Sequence, residues 1–498
     1  MKRKLLTLLF AFVSLLPISA QTKIAYNDDF TVTVDKEVLS VYSVPVDRVA
    51  NGKHNVEKSS FVTLTETQGN KIVRVHYNKG LIHKVRIRPS SYNIPFIQKD
   101  SATIEFTLTR PMNISVEIND DIYHNLHIFK VPEISMSKTK NAVSFDKYKT
   151  LDKKAKAKVK TLFFTAGYDE IEGNFMDVES GMTVIINKGA WVQGGLRVIG
   201  KHDVKIIGAG VLRPKDRGYG VEITSSNNVL VQGIVSTQVP TGGSHDVEIK
   251  DVKIVSHYGW GDGFNVFASS NVLIDDCFAR NSDDCHTVYA TRLGHIGSAR
   301  NITVQNCIFW ADVAHPIFIG LHGAASYKKD VVSRNLPLAE NADEIAMKSD
   351  TIENLVYRNI DILEEREMQI DYQGCMAINC GDNNIVQNVL FDNIRIEPIH
   401  CGMLFNIRVS HNKKYCEAPG KAVNNITFKN ITYSSGKESN SIIEGWSVER
   451  PVKDVIFDNL VIDGKRICDT MPDKPGWYKT ADFARTMLGN HVNNVTFK

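Results

Sequence analysis

Between Trp260 and His315 the chain carries three short phrases, GWGDGFN, NSDDC and VAHPIFIG, each setting an acid or a histidine just ahead of an apolar, strand-like run. Asp262 precedes Phe264 and Val266, Asp284 precedes Val288, and His315 precedes Ile317 and Ile319. If the runs stack as successive coils of one sheet, their polar leaders gather on a single surface, about 4.8 Å apart per coil. Asp262, Asp284 and His315 then occupy three consecutive rungs, with Asp283 offset beside them. Carboxyl groups held that close cannot all ionise, and the most crowded keeps its proton, so one site obtains both a general acid and a general base. Hydrolysis of a glycosidic bond uses that pair, spaced by roughly 6.5–9.5 Å when a water must fit between them.

Each part has a plainer reading. DD pairs commonly cap turns, and Asp275–Asp276 is an ordinary one in the same stretch. It is the GDG one coil earlier and the histidine one coil later that make Asp262, Asp283 and Asp284 a catalytic constellation. Around them Trp260, Tyr289 and Trp310 offer flat faces to sugar rings, and His286, His322 and Asn379 offer hydrogen bonds, although each also suits packing. His315 either contacts substrate or is satisfied within the stack. No CxxC spacing suggests zinc, and the chemistry requires no metal and no cofactor.

The elements that must position these residues follow from two rhythms. From about Ile24 to Val131 short alternating runs such as FTVTV, KIVRVHY and TIEFTLT, punctuated by NKG, RPSS and INDD, predict an antiparallel β-sandwich. From about Thr161 a phrase recurs, an Asn or Asp followed by apolar first and third positions: NVLVQGIV at Asn228, DVEIKDVKI at Asp246, NVLIDDCF at Asn271, NITVQNCIF at Asn301 and NLVYRNIDI at Asn354. It returns at Asn388, Asn425, Asp454 and Asn494. A drifting repeat of this kind predicts a right-handed parallel β-helix whose coils bury their apolar pairs only by stacking. The recurrent asparagines are structural, since they tolerate left-handed backbone and can bond along the stack. Insertions around 328–350, 410–423 and 463–491 read as loops that shape a groove or a dimer contact. The expected order is a leader over 1–20, a β-sandwich over 21–150 and a β-helix over 160–498.

The leader expectation rests on Lys2, Arg3 and Lys4, an apolar stretch from Leu5 to Leu16, and small residues at Ser19 and Ala20, which predict cleavage near Gln21 and a periplasmic or secreted product with no membrane anchor. With 498 residues, 43% hydrophobic and 23% charged, the chain has room for one or two large cores. A formal net charge of +3 gives no support for nucleic-acid binding. The basic run Lys153–Lys160 reads as a solvated connector. All eight cysteines lie from Cys277 onward, and Cys285 with Cys307 is a plausible disulfide, equally explained as small residues inside a coil.

The β-helix half resembles glycoside hydrolase families 28, the polygalacturonases, and 49, the dextranases and isopullulanases, which carry one acid on one coil and a DD pair on the next, here Asp262, Asp283 and Asp284. AHPIFIG is similar to the GHGxSxG phrase of family 28, at His315 and Gly320. RIRPSSYN, FFTAGYDE and NKGAWVQGGL look like the family 49 sandwich and first coils, so the resemblance spans nearly the whole mature chain. It implies a pectin-lyase-like solenoid and an inverting hydrolase, with Asp283 as general acid and Asp262 and Asp284 positioning and deprotonating the water. The coil where family 28 has an RIK phrase reads MAIN, Met376–Asn379, so the carboxylate clamp is missing and a neutral polysaccharide, such as an α-glucan, is the expected substrate. A pectic glycan and a non-catalytic carbohydrate-binding solenoid are the alternatives.

Overall fold

A computed structural model describes residues 23–50, 52–66, 69–133, 142–215, 217–257 and 259–498. The expected leader and its cleavage point lie outside the described residues. The first strands form two five-stranded sheets. One is ordered Glu37–Leu39, Phe30–Val34, Lys71–Tyr77, Thr103–Leu108, Phe96–Gln98, and the other Tyr42–Ala50, Lys53–Thr65, Asp121–Val131, Ile114–Ile118, Val85–Arg88. Period-two alternation turns Phe30, Val32 and Val34 inward beside Val73, Val75, Ile104 and Phe106 of the same sheet, and with Val62, Ile114, Val116, Leu126 and Ile128 of the other sheet they form the sandwich core. One pairing departs from the antiparallel expectation: Asp121–Val131 runs parallel to Lys53–Thr65.

From Val143 onward the strands wind into one 30-stranded sheet, parallel except for the hairpin that Lys465–Ile467 makes with Val452–Ile462. This is the expected parallel β-helix. It begins ahead of position 160 because the short helix Phe145–Lys149 buries Phe145 and Tyr148 against the first coil and closes its end, as a terminal cap must. The basic run contributes the short helix Lys153–Lys156, which has no buried residue.

Each repeat start named above sits in the left-handed region, with φ between 49° and 58° from Asn228 to Asn494. Asn271, Asn301, Asn354, Asn388 and Asn425 donate through Nδ2 to the side-chain oxygen one coil earlier, at 2.8–3.2 Å. A second ladder runs from Asn306 through Asn359 to Asn393. Inside the later coils Tyr357, Phe391, Phe428, Phe457 and Phe497 stack with centroids 4.7–5.0 Å apart, the rung spacing itself. The insertion after Gly320 is not plain loop: helices Tyr327–Ser333 and Ala342–Met347 pack on each other through Val331 and Ile345.

The sandwich lies along the flank of the solenoid. Val44, Val46, Phe61, Ile122 and Phe129 pack on Trp191, Val211, Val235, Val255, Phe278, Ile308 and Trp310. Trp310, expected among the sugar-facing aromatics, is buried here between the Arg88 and Arg280 guanidinium groups, at 4.7 and 4.2 Å from its ring. Both arginines are fully buried and paired, Arg280 with Asp312 and Arg88 with Glu117 and Glu397. Cys285 and Cys307 do not pair. The coil neighbour of Cys307 is Cys277, as the register Phe278 opposite Ile308 requires, and all eight cysteines are free thiols.

Candidate active site

Strands Phe264–Phe267, His286–Tyr289 and Ile317–Gly320 pair in parallel, with Phe264 opposite His286 and His286 opposite Ile317. Two residues upstream, the same register sets Asp262 beside Asp284 and Asp284 beside His315. The backbone continues the ladder through the turn: Gly263 N donates to Asp284 O at 2.8 Å, and Cys285 N donates to His315 O at 2.8 Å. Glycine is required at 263, because a Cβ there would stand 2.2 Å from the Cys285 carbonyl oxygen. Trp260 adopts φ 51°, costly for a bulky residue, and the turn aims its N–H at Asp283 Oδ2, 3.0 Å away.

Asp262, Asp283 and Asp284 each bring one carboxyl oxygen within 4.8 Å of the others. That is tighter than the spacing expected of an inverting pair. It is also the span that one water covers when it bonds two oxygens at about 2.7 Å each. Burial first, then the charges of Asp262 and Asp284, hold the Asp283 carboxyl well above the usual carboxylate range. Burial and Asp284 push Asp262 up to about 7, against an opposing hydrogen bond from Asn265. Asp284 is tied down differently. Its Oδ1 accepts from His315 N at 3.1 Å and His315 Nδ1 at 2.6 Å, and its Oδ2 accepts from Tyr289 OH at 3.4 Å. The other His315 ring nitrogen faces the Tyr372 carbonyl oxygen. Both ring nitrogens therefore donate, which makes the ring an imidazolium. Burial would lower its pKa, but the charge and hydrogen bond of Asp284 outweigh this and hold it at about 9.

This arrangement sets a pH dependence of the same sign at both groups, in two different windows. His315 binds its proton more tightly folded than unfolded, so its stabilisation is complete below about 6.5, declines above that, and is gone once pH passes about 9. Asp262, also raised, costs stability as pH rises from about 4 to 7. Urea unfolding at pH 7 and pH 10 is expected to show a loss on the order of 3 kcal/mol between them from His315, and kcat/KM is expected to climb through a limb near 7 as the acid trio loses its first proton.

The remaining sequence candidates separate cleanly. Trp260 stands at the rim, 72% exposed. Tyr289 and His322 lie on the outer face, where their rings meet edge-on at 5.1 Å. Asn379 is buried on that face, and neither amide atom has a partner among the described residues. His286 is not at the surface. It shares the inward parity of Phe264 and Val288, bonds the Phe264 carbonyl oxygen at 2.7 Å and meets Tyr357 edge-on, so it packs the interior. His315 is also fully buried, stacked on Phe318 at 4.4 Å, and its place is behind Asp284 instead of against a ligand. Asn265, Tyr372 and Glu365 were missed; burial drives the Glu365 carboxyl up to about 8 on the far side of His315. Of these only Asn265, three residues after Asp262 on an outward strand position, had a readable signal.

No protein-family model and no curated protein sequence matches the chain. Solved structures do. Dex49A from Penicillium minioluteum, a family 49 dextranase, superposes with a TM-score of 0.51 at 13% identity, over 93% of this chain and 94% of that one. The family 28 exopolygalacturonase of Yersinia enterocolitica gives 0.48 at 12% identity, over 90% and 99%. A GH87 α-1,3-glucanase catalytic domain in complex with nigerose gives 0.40 at 14%, over 95% and 98%. At such identity the Dex49A likeness is one of fold alone, a pectin-lyase-like parallel β-helix.

Proposed function

We propose that the protein is an inverting glycoside hydrolase, and the observation that carries this reading is the convergence of three carboxyls within 4.8 Å of one another. Asp283, crowded and half-buried at the rim turn, donates its proton to the glycosidic oxygen. Asp262 ionises near neutrality and takes a proton from the attacking water, which bridges Asp262 and Asp284. His315 holds the Asp284 carboxylate in place through Nδ1. The fold shared with Dex49A supports the reaction class.

The sugar bound toward Met376–Asn379 is uncharged in this reading, because that coil supplies an amide and no cation. One coil on, Arg408 lies opposite Asn379 but is engaged by Asn406 and the Asp371 carbonyl oxygen. Secretion through the N-terminal leader belongs to the same proposal, and a mature N-terminus near Gln21 tests it.

The decisive experiment screens neutral and acidic polysaccharides for new reducing ends and follows the first product by NMR. The expected product has the anomer opposite to that of the bond cleaved. Retention would reject attack by water and make Asp262 the nucleophile. The carboxyl trio could instead hold a hard cation in a non-catalytic binding solenoid. That reading predicts no reducing ends from any glycan and a Tm lowered by chelator, whereas the hydrolase is expected to keep both Tm and turnover in EDTA.

A further inference from the structure

Beside the acid trio, on the side away from Met376–Asn379, a cavity of about 230 Å³ lies between sandwich and solenoid. It opens along Gly261, Ser256 and Gln238, and Gln238 Nε2 bonds the carbonyl oxygen of Trp260 at 2.9 Å, so it is continuous with the turn that carries Asp262. Among the described residues its charged lining is cationic: Lys23 from the N-terminal segment, and Arg213, Lys215 and Arg217 from the solenoid. Glu170 takes Lys23 at 3.1 Å, and among the described residues no carboxylate forms an ion pair with Arg213 or Lys215.

Arg213 is the informative residue. Its side chain is 92% removed from solvent, since only 8% is exposed, and its one hydrogen bond among the described residues runs from Nη1 to the Val255 carbonyl oxygen at 2.8 Å. A guanidinium so placed has given up its water without gaining an acid, an expensive arrangement unless an anion completes it. Arg88 and Arg280, the comparably buried arginines, are both paired with carboxylates. His257 responds to the same field without adding to it: burial, Arg213 and Arg217 push it down to about 4, so its ring is neutral.

We propose that this cavity is a subsite for an anionic substituent, a carboxylate or a sulfate ester, on the sugar next to the scissile bond, with Arg213 as its buried anchor and Lys215 and Arg217 at its mouth. The substrate is then a glycan that is charged on one side of the cleavage point and uncharged on the other. The volume is below the roughly 300–1,000 Å³ of ordinary small-molecule sites, so it takes one substituted ring and not a length of chain. The inference rests on the hydrolase reading for the place of the scissile bond, but the cavity's preference for anions can be measured without turnover.

The test uses the full-length protein, with an uncharged glucan, an oligogalacturonate and a sulfated galactan as probes. Reducing-end release is measured for wild type and for Lys215→Gln/Arg217→Gln; both altered side chains are exposed, and thermal melts check that the turn Arg217 braces through Gly259 and Trp260 still folds. Cleavage of an acidic probe with KM raised tenfold or more in the variant, and kcat changed far less, is the expected result; which probe is cut separates carboxylate from sulfate. If wild type cleaves nothing, the hydrolase reading fails, and calorimetric titration of the same probes then decides the cavity. Binding of an acidic probe that weakens tenfold in the variant upholds it. Cleavage confined to the uncharged glucan, or acidic-probe KM or Kd values equal in wild type and variant, overturns it.

Discussion

Asp283→Asn is expected to lower kcat by about 10³-fold, within the range that a general acid contributes, while leaving the fold intact. Asp283 Oδ1 and Oδ2 accept from Asp284 N and Trp260 N, at 3.1 and 3.0 Å. An amide has one acceptor and so loses one of these bonds, a cost of about 1 kcal/mol. Asp283 already carries its proton, so the amide removes no charge from the trio, and the net change in unfolding free energy is expected to stay within about 1 kcal/mol. Steady-state kinetics with parallel thermal melts checks both halves. A variant that keeps more than a tenth of wild-type kcat removes Asp283 from the role of acid.

His315→Phe is expected to be the more damaging change for stability. The ring fits the apolar stack on Phe318, but the Asp284 carboxylate, 4% exposed, keeps only a backbone N–H and a long contact from Tyr289. Removing one member of a buried ion pair costs about 3–5 kcal/mol, so urea unfolding at pH 7 should show a loss of that size. The same measurement at pH 10 should show a much smaller difference, because wild type has itself lost the His315 proton there. A purely steric role for His315 would leave the gap equal at both pH values. Turnover is expected to fall with the stability at pH 7, since Asp284 no longer holds its orientation.

How much of this was legible in the sequence depends on the distance over which each residue's place is decided. The column Asp262, Asp284 and His315 could be read because apolar runs of period two fix the register of a coil, and register fixes its neighbours. The alternation in HTVY also shows His286 to be inward, since it shares the parity of Val288; weighing it by residue type alone put it on the wrong face. Glu365 sits in irregular backbone and Tyr372 at the end of the short 3-10 helix Ile370–Tyr372, where no strand periodicity points. Arg213 lies next to the apolar pair Val211 and Leu212 and reads as one charge at a strand end. Only the docking of a distant sandwich makes a cavity of its surroundings.

That docking also limits how the solenoid can change in length. Trp191, Val211, Val235, Lys253, Phe278 and Ile308 stand in one line along six coils, facing the sandwich. A coil added or removed within that line would slide every later coil by about 4.8 Å. Arg280 would then miss Asn125 and the Ile122 carbonyl oxygen of the sandwich, to which it now donates. Beyond Glu397, the last solenoid residue tied to Arg88, coils could be gained or lost without this penalty. The sandwich therefore acts as a ruler, counting the coils up to the turn that carries Asp283 and Asp284 and leaving the rest of the rod free to vary.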